Sequence, residues 1–403
     1  MRALKGLVPL VLLAVPPGCA PAAGTSFHVD FEKGRDTADG RTPATAWKHA
    51  PGDPAASGGP AAVKLVPGDR VLFRAGVPYR GTIRLKASGS AEKPIVYTGI
   101  GWGEGLGIID GADPVTSARP CRDAADCGGA ADWAQLTRVD YAAPETSRIV
   151  LYGTDGLYWL SQSPALPDPF YSDARKSFEK VSKGQLADLK RGVLHSPALA
   201  RAARAGGQME LAFWVLPNLV KRVPLKGVEG DRLLFDAEGL RFWEDRDGAV
   251  ALNGSFEGLR EAGRYVQLRP GVLVARLRPG DGAATLAIGN GRMGINLGGQ
   301  SNITITGLNF RNMTAAAERW REGLAVTAVG PLSTNIEVSG SLFGPAFLES
   351  RRGIVQLRLV EDFRFLANRI ENVAFGAGLR VEGGNPGRLL IAGNVIRRTG
   401  STA

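Results

Sequence analysis

The chain has 403 residues, 44% of them hydrophobic, enough to bury a large core as one long domain. Its 54 glycines and 7% aromatic residues suit an all-β chain with many turns better than a helical one. The formal net charge is +10; an exported protein seldom meets nucleic acid, so a basic surface suggests acidic polysaccharide or anionic lipid headgroups, with a generally basic composition as the competing reading.

Residues 1–24 read as an export signal. Arg2 and Lys5 precede the apolar run Leu7 to Val15, which is too short to span a membrane, and a patch of small residues follows. Gly18-Cys19 resembles the end of a bacterial lipoprotein signal, which would make Cys19 the lipidated first residue of the mature chain. Pro16 departs from that motif, and cleavage after Ala22 to give a soluble form is the competing reading. Membrane contact is expected only through such an anchor. Cys121 and Cys127 remain as a pair, and export predicts a disulfide closing a tight loop between them. A zinc site would want further ligands, and no histidine lies between residues 50 and 194.

Residues 27–50 contain Phe27-His-Val-Asp-Phe31, the glycine turn Gly34-Arg-Asp-Thr-Ala-Asp-Gly40 and Pro43-Ala-Thr-Ala-Trp47. Short strands follow, divided by Pro-Gly, Gly and Lys-Pro turns. They are Val66-Pro-Gly-Asp-Arg-Val-Leu-Phe73, Gly76-Val-Pro-Tyr-Arg-Gly81, Lys93-Pro-Ile-Val-Tyr97 and Ile108-Ile-Asp-Gly111. This stretch resembles the start of exported bacterial right-handed parallel β-helix proteins with the pectin-lyase-like fold, which include polysaccharide lyases and glycoside hydrolases. The resemblance implies an all-β solenoid, with 25–111 as its first coils. It does not choose an activity, because the motifs are shared by members with different chemistries. Asp36 and Asp39 raise calcium, but two carboxylates in a glycine turn are too few for an oxygen cage. A structural turn is the expectation, with no cofactor.

Residues 112–290 are expected to continue the coils, interrupted by the loop holding the cysteines and by a small helical insertion near 161–207. Ser172 to Val193 places Phe178, Val181, Leu186, Leu189 and Val193 at a spacing near 3.6 residues. Ser196 to Ala205 is rich in alanine and arginine and stops at Gly206-Gly207. Two strands and a turn over 250–288 lead into the final region.

From 291 to 403 one unit recurs four times. Glycines open its first strands at Gly294, Gly323, Gly353 and Gly378, which lie 29, 30 and 25 residues apart. Second strands begin at Ile303, Ile336, Phe363 and Leu389 and end in a polar or glycine corner. A third apolar position closes each unit at Phe310, Phe343, Ile370 and Ile396. Alternation puts every second side chain on one face, and repeats of this length mean stacked units. Asn368 and Asn394 fall at equivalent corners and are expected to form a ladder. The ending at 396–403 carries no capping element, so the stack reads as uncapped.

On such a scaffold, chemistry belongs to side chains pointing outward from stacked strands. A glycosidase needs two carboxylates about 5–9.5 Å apart, and adjacent coils are about 4.8 Å apart. A lyase needs a base and a cation beside a uronate. Arg380 and Glu382 face outward if Leu379 and Val381 face inward, and Glu322 stands in a loop before another strand. These three are the catalytic candidates. Arg319, Trp320 and Arg321, with Glu349, Arg351 and Arg352, would form a sugar platform of indole and guanidinium groups. His28, His49 and His195 lie outside the repeats and read as structural or surface residues. The expected function is an exported carbohydrate-active protein that binds and cleaves a polysaccharide, with an acidic polysaccharide as partner. A non-catalytic carbohydrate-binding or adhesive solenoid is the alternative.

Overall fold

In the strand Ile303–Thr306, Ile303 and Ile305 are fully buried, while Thr304 and Thr306 are only partly covered. That alternation is repeated through a computed structural model that describes residues 24–142, 149–166, 168–172, 174–204, 206–216, 219–315, 324–328, 330–348, 352–382 and 387–400. The protein is all-β, with several parallel sheets.

The first parallel sheet is formed by Ser26–Val29, Arg70–Phe73, Ile95–Thr98, Ile303–Thr306, Ser333–Ser339, Val360–Leu366 and Leu389–Ala392, in that order. The second carries Pro78–Tyr79, Gly107–Asp110, Leu308–Arg311, Leu342–Phe343 and Arg369–Ala374, with Val395–Thr399 paired to the last of these. The third stacks Ile83–Arg84, Ile295–Asn296, Val326–Ala328, Gly353–Arg358 and Ala377–Glu382. From Arg70–Phe73 onward, and apart from the inserted residues 112–290, the chain visits the first, second and third sheets in turn, so each circuit lays a strand on the one before. Equivalent residues lie 33, 27 and 26 positions apart in successive turns of the first sheet.

The core runs up the middle of these sheets. Ile95, Ile303, Ile336 and Phe363 are in register, and none is more than 1% exposed. Phe310 and Phe343 stack one turn apart, with ring centroids 5.0 Å apart. Each such side chain contributes about 1.5–3 kcal/mol by leaving water.

Corners are made by left-handed residues. Gly307, Gly340, Ala367 and Gly393 follow equivalent strands at φ of 63°, 54°, 52° and 66°. At another corner Asn302, Asn335 and Asp362 hold φ of 57°, 53° and 52°, a conformation that Asn and Asp tolerate better than most residues. There Asn335 Nδ2 donates to Asn302 Oδ1 at 2.8 Å. The ladder at Asn368 and Asn394 is also present: Asn394 Oδ1 accepts from Asn368 N at 2.8 Å, and Asn368 Oδ1 accepts from Ser341 N at 3.0 Å.

The register differs from the glycine alignment. In the third sheet Ile295, Val326, Val355 and Leu379 are level. Gly294 and Gly378 therefore match Ile354, not Gly353, and Gly323 lies outside the described residues. The level is set by apolar side chains entering the core, which is a stronger constraint than glycine position.

Residues 112–290 do not continue the coils. Ile95–Thr98 pairs directly with Ile303–Thr306, and Gly107–Asp110 with Leu308–Arg311, so the N-terminal turns and the repeats form one stack. The intervening chain leaves and returns through paired strands, Ala112–Pro114 and Ala287–Gly289. It forms three further sheets, antiparallel throughout the described residues except where Trp159–Leu160 runs parallel to Arg264–Arg269. The largest contains Gly206–Leu216, Leu219–Glu229 and Gly248–Ser255. The reading of 250–288 as two strands and a turn corresponds to Arg264–Arg269 and Val272–Arg276.

The long amphipathic pattern from Ser172 to Val193 is not one helix. It contains the short helices Ala174–Ser177 and Leu186–Lys190, separated by the strand Glu179–Val181, which adds to the edge of Gly248–Ser255. Sheet pairing outweighs helical spacing there. Pro197–Ala202 is helical, and Ser196 Oγ caps it by accepting from Leu199 N at 3.0 Å. Cys121 and Cys127 are joined as a disulfide, with Cα atoms 5.9 Å apart. In the last strands Leu389, Leu390, Ile391, Val395 and Ile396 are between 42% and 50% exposed.

Candidate functional site

The third parallel sheet positions the described catalytic candidates. Leu379 and Val381 pack against the core, so Arg380 and Glu382 project from the opposite face. Pairing sets Arg380 level with Gln356, Thr327, Asn296 and Arg84, one residue per turn. Glu382 is level with Arg358. The Glu382 carboxylate accepts from Arg380 Nη2 and lies 3.9 Å from Arg358 Nε. The side chains of Arg380 and Glu382 are 30% and 25% exposed, and that of Arg358 is 52% exposed.

This arrangement places one carboxylate between two guanidinium groups. Among the described residues of the column there is no second carboxylate, so the pair that glycoside hydrolysis requires is absent from it. Two arginines over a sheet face suit a sugar carboxylate, which a guanidinium holds through paired hydrogen bonds. Thr327 and Gln356 are fully covered, at 0% and 1% exposure, which closes the middle of the column. Its accessible parts are the ends, at Arg84 and at Arg380.

Glu322, Arg319, Trp320, Arg321, Glu349 and Arg351 lie outside the described residues, as does Cys19. Arg352 is described, and it is only 6% exposed. Sequence reasoning missed Arg358. Its signal was the spacing Gln356-Leu-Arg358, which repeats the outward spacing of Arg380-Val-Glu382.

Three acidic groups elsewhere hold structural contacts. Asp36 Oδ1 accepts from the backbone N–H of Lys48 and His49, while Oδ2 takes His49 Nδ1 at 2.7 Å and Ser57 N at 3.1 Å. Burial pushes its carboxyl up, but these bonds, led by the His49 backbone, hold it below its ordinary value. Both oxygens are committed to protein donors, which fits the glycine turn rather than a cation. Asp110 accepts from Arg311 Nε at 2.9 Å and Asn312 Nδ2 at 3.0 Å, and Arg292 Nη2 reaches Asp113 at 2.8 Å. These bonds clasp the point where the chain leaves the stack.

No family model and no curated protein matches this sequence. A solved structure named glycoside hydrolase is similar at 8% identity and a TM-score of 0.41, covering 94% of this chain and 97% of its own.

Proposed function

We propose that this is an exported, carbohydrate-active right-handed parallel β-helix protein that binds an acidic polysaccharide along its third sheet and cleaves it. The observation that carries this reading is the Glu382 carboxylate between Arg380 and Arg358 on level, stacked strands. The β-helix reading is supported by the rotation through three parallel sheets, and its hand by the strong preference of parallel crossovers for right-handed connection. Export, to the periplasm, the outer-membrane surface or the medium, is supported by the N-terminal apolar run and the disulfide.

The arginines bind the uronate carboxylate and stabilise charge on it. In elimination Glu382 takes the proton from the adjacent carbon, the C–O bond to the leaving sugar breaks as the double bond forms, and Glu382 returns that proton to the leaving oxygen. The test is turnover of uronate-containing and neutral polysaccharides by the purified protein. New ultraviolet absorbance from an unsaturated uronate marks elimination, and new reducing ends without it mark hydrolysis. Glu382→Gln should lower the rate by about 10²-fold or more. Wild-type turnover in that variant would remove Glu382 from the chemistry. A non-catalytic carbohydrate-binding solenoid is the second reading, favoured by the single carboxylate and the closed middle of the column. Binding without cleavage of any polysaccharide would select it.

A further inference from the structure

We propose that the inserted antiparallel sheet carries a separate binding site for an acidic sugar unit, between Trp214 and Trp243. The proposal rests on the carbohydrate reading above but uses none of its residues. Trp214, on Gly206–Leu216, stands directly opposite Ala249 on Gly248–Ser255. Lys180, on Glu179–Val181, stands opposite the same Ala249 from the other side. Residues opposite one another in antiparallel strands project on one face, so an indole and an ammonium group flank a methyl floor. One same-face rung along, Ala212 and Ala251 share an apolar cluster with Ala249, Leu166 and Phe178, and Trp214 packs against its edge. Beside that cluster lies an open cleft of about 440 Å³, lined by Lys180, Trp214 and Ala249 together with Trp243, Arg246 and Asp247.

That volume lies within the range of small-ligand pockets, about 300–1,000 Å³. Two indoles in one small cleft favour a pyranose, whose polarised C–H bonds settle on the electron-rich ring face. The charges favour an acidic one. Lys180 has no ion-pair partner among the described residues. Arg246 lies 5.6 Å from the Trp243 ring centroid and pairs with its neighbour Asp245, but those side chains are 60% and 70% exposed. Such a surface pair is worth little and exchanges readily for another carboxylate. Asp247 accepts from Lys183 N through Oδ1, leaving Oδ2 for a sugar hydroxyl. Two cations, one acceptor and two aromatic faces match a uronate residue: its carboxylate meets Lys180 and Arg246, and its ring meets the indoles.

The test uses the whole protein, with tetragalacturonate and a neutral cello-oligosaccharide titrated by calorimetry and tryptophan fluorescence. Saturable binding of tetragalacturonate is expected, with the neutral sugar at least about tenfold weaker. Trp243→Ala and Lys180→Glu should each weaken uronate binding about tenfold or more, whereas Arg380→Ala should leave the fluorescence response in place. Lys180 is exposed, so its substitution tests the site without disturbing the core. Unchanged binding in both cleft variants, or equal affinity for the neutral sugar, would overturn the proposal. Loss of all binding in Arg380→Ala alone would also overturn it, while leaving the stack reading intact. Cleft binding that survives Arg380→Ala in a protein that cleaves nothing would support the cleft and count against catalysis on the stack.

Discussion

The hydroxyl of Tyr152 lies 2.8 Å from Oγ1 of Thr314 and donates to the carbonyl of Met313 at 3.0 Å, joining the inserted region to the parallel stack. Tyr152 is 1% exposed and Thr314 is fully buried, so water cannot replace either partner. Burial pushes the Tyr152 hydroxyl well above its ordinary range, keeping it a neutral donor. Tyr152→Phe should therefore lower stability by about 1–2 kcal/mol, read as a fall in the urea midpoint. Thr314→Val combined with it should cost less than the sum of the two, because they share one hydrogen bond.

Ala367 occupies a corner that glycine fills in the other three equivalent positions, Gly307, Gly340 and Gly393. Its φ of 52° forces a Cβ into the left-handed region, and the residue is exposed, so no packing compensates. Ala367→Gly should stabilise the protein by about 0.5–1 kcal/mol, the relief of strain exceeding the entropy glycine loses on folding. A higher melting temperature checks this; a lower one would mean that the corner is not strained.

Asn368 is 1% exposed and serves two neighbouring turns at once. On the preceding turn it donates to Val338 O at 2.9 Å and accepts from Ser341 N at 3.0 Å, and on the following turn its Nδ2 donates to Asn394 Oδ1 at 3.2 Å. Asn368→Ala leaves both backbone groups without that partner and should cost about 2–3 kcal/mol in urea unfolding. Asn394→Ala, nearer the exposed last strand, should cost less.

Acid sensitivity follows from Asp36 and Asp30. Burial raises both carboxyls, but backbone donors, with His49 for the first and Arg74 for the second, bring them below the ordinary carboxylate value of 3.8. A folded-state value below the unfolded one means that the stabilisation is complete above about pH 4 and is lost as pH falls through the depressed values. Unfolding on acidification below about pH 4 is expected. In Asp36→Asn that acid-dependent loss should shrink, with lower stability at neutral pH as the cost.

What the sequence determined by itself was local. Alternation in Ile303-Thr-Ile-Thr and its counterparts marked the strands, glycine and asparagine marked the corners, and the spacing of Cys121 and Cys127 marked the disulfide. The Asn368–Asn394 ladder was legible because both residues end similar strands. Pairing between distant segments was not. The docking of Ile95–Thr98 on Ile303–Thr306, the level of Arg358 with Glu382, and the row Trp214–Ala249–Lys180 each depend on which strand lies beside which. A period of two states that a residue faces in or out, and nothing more. Which outward side chains meet is decided by core packing and by hydrogen bonding along whole strands, so the candidate sites belong to the tertiary structure.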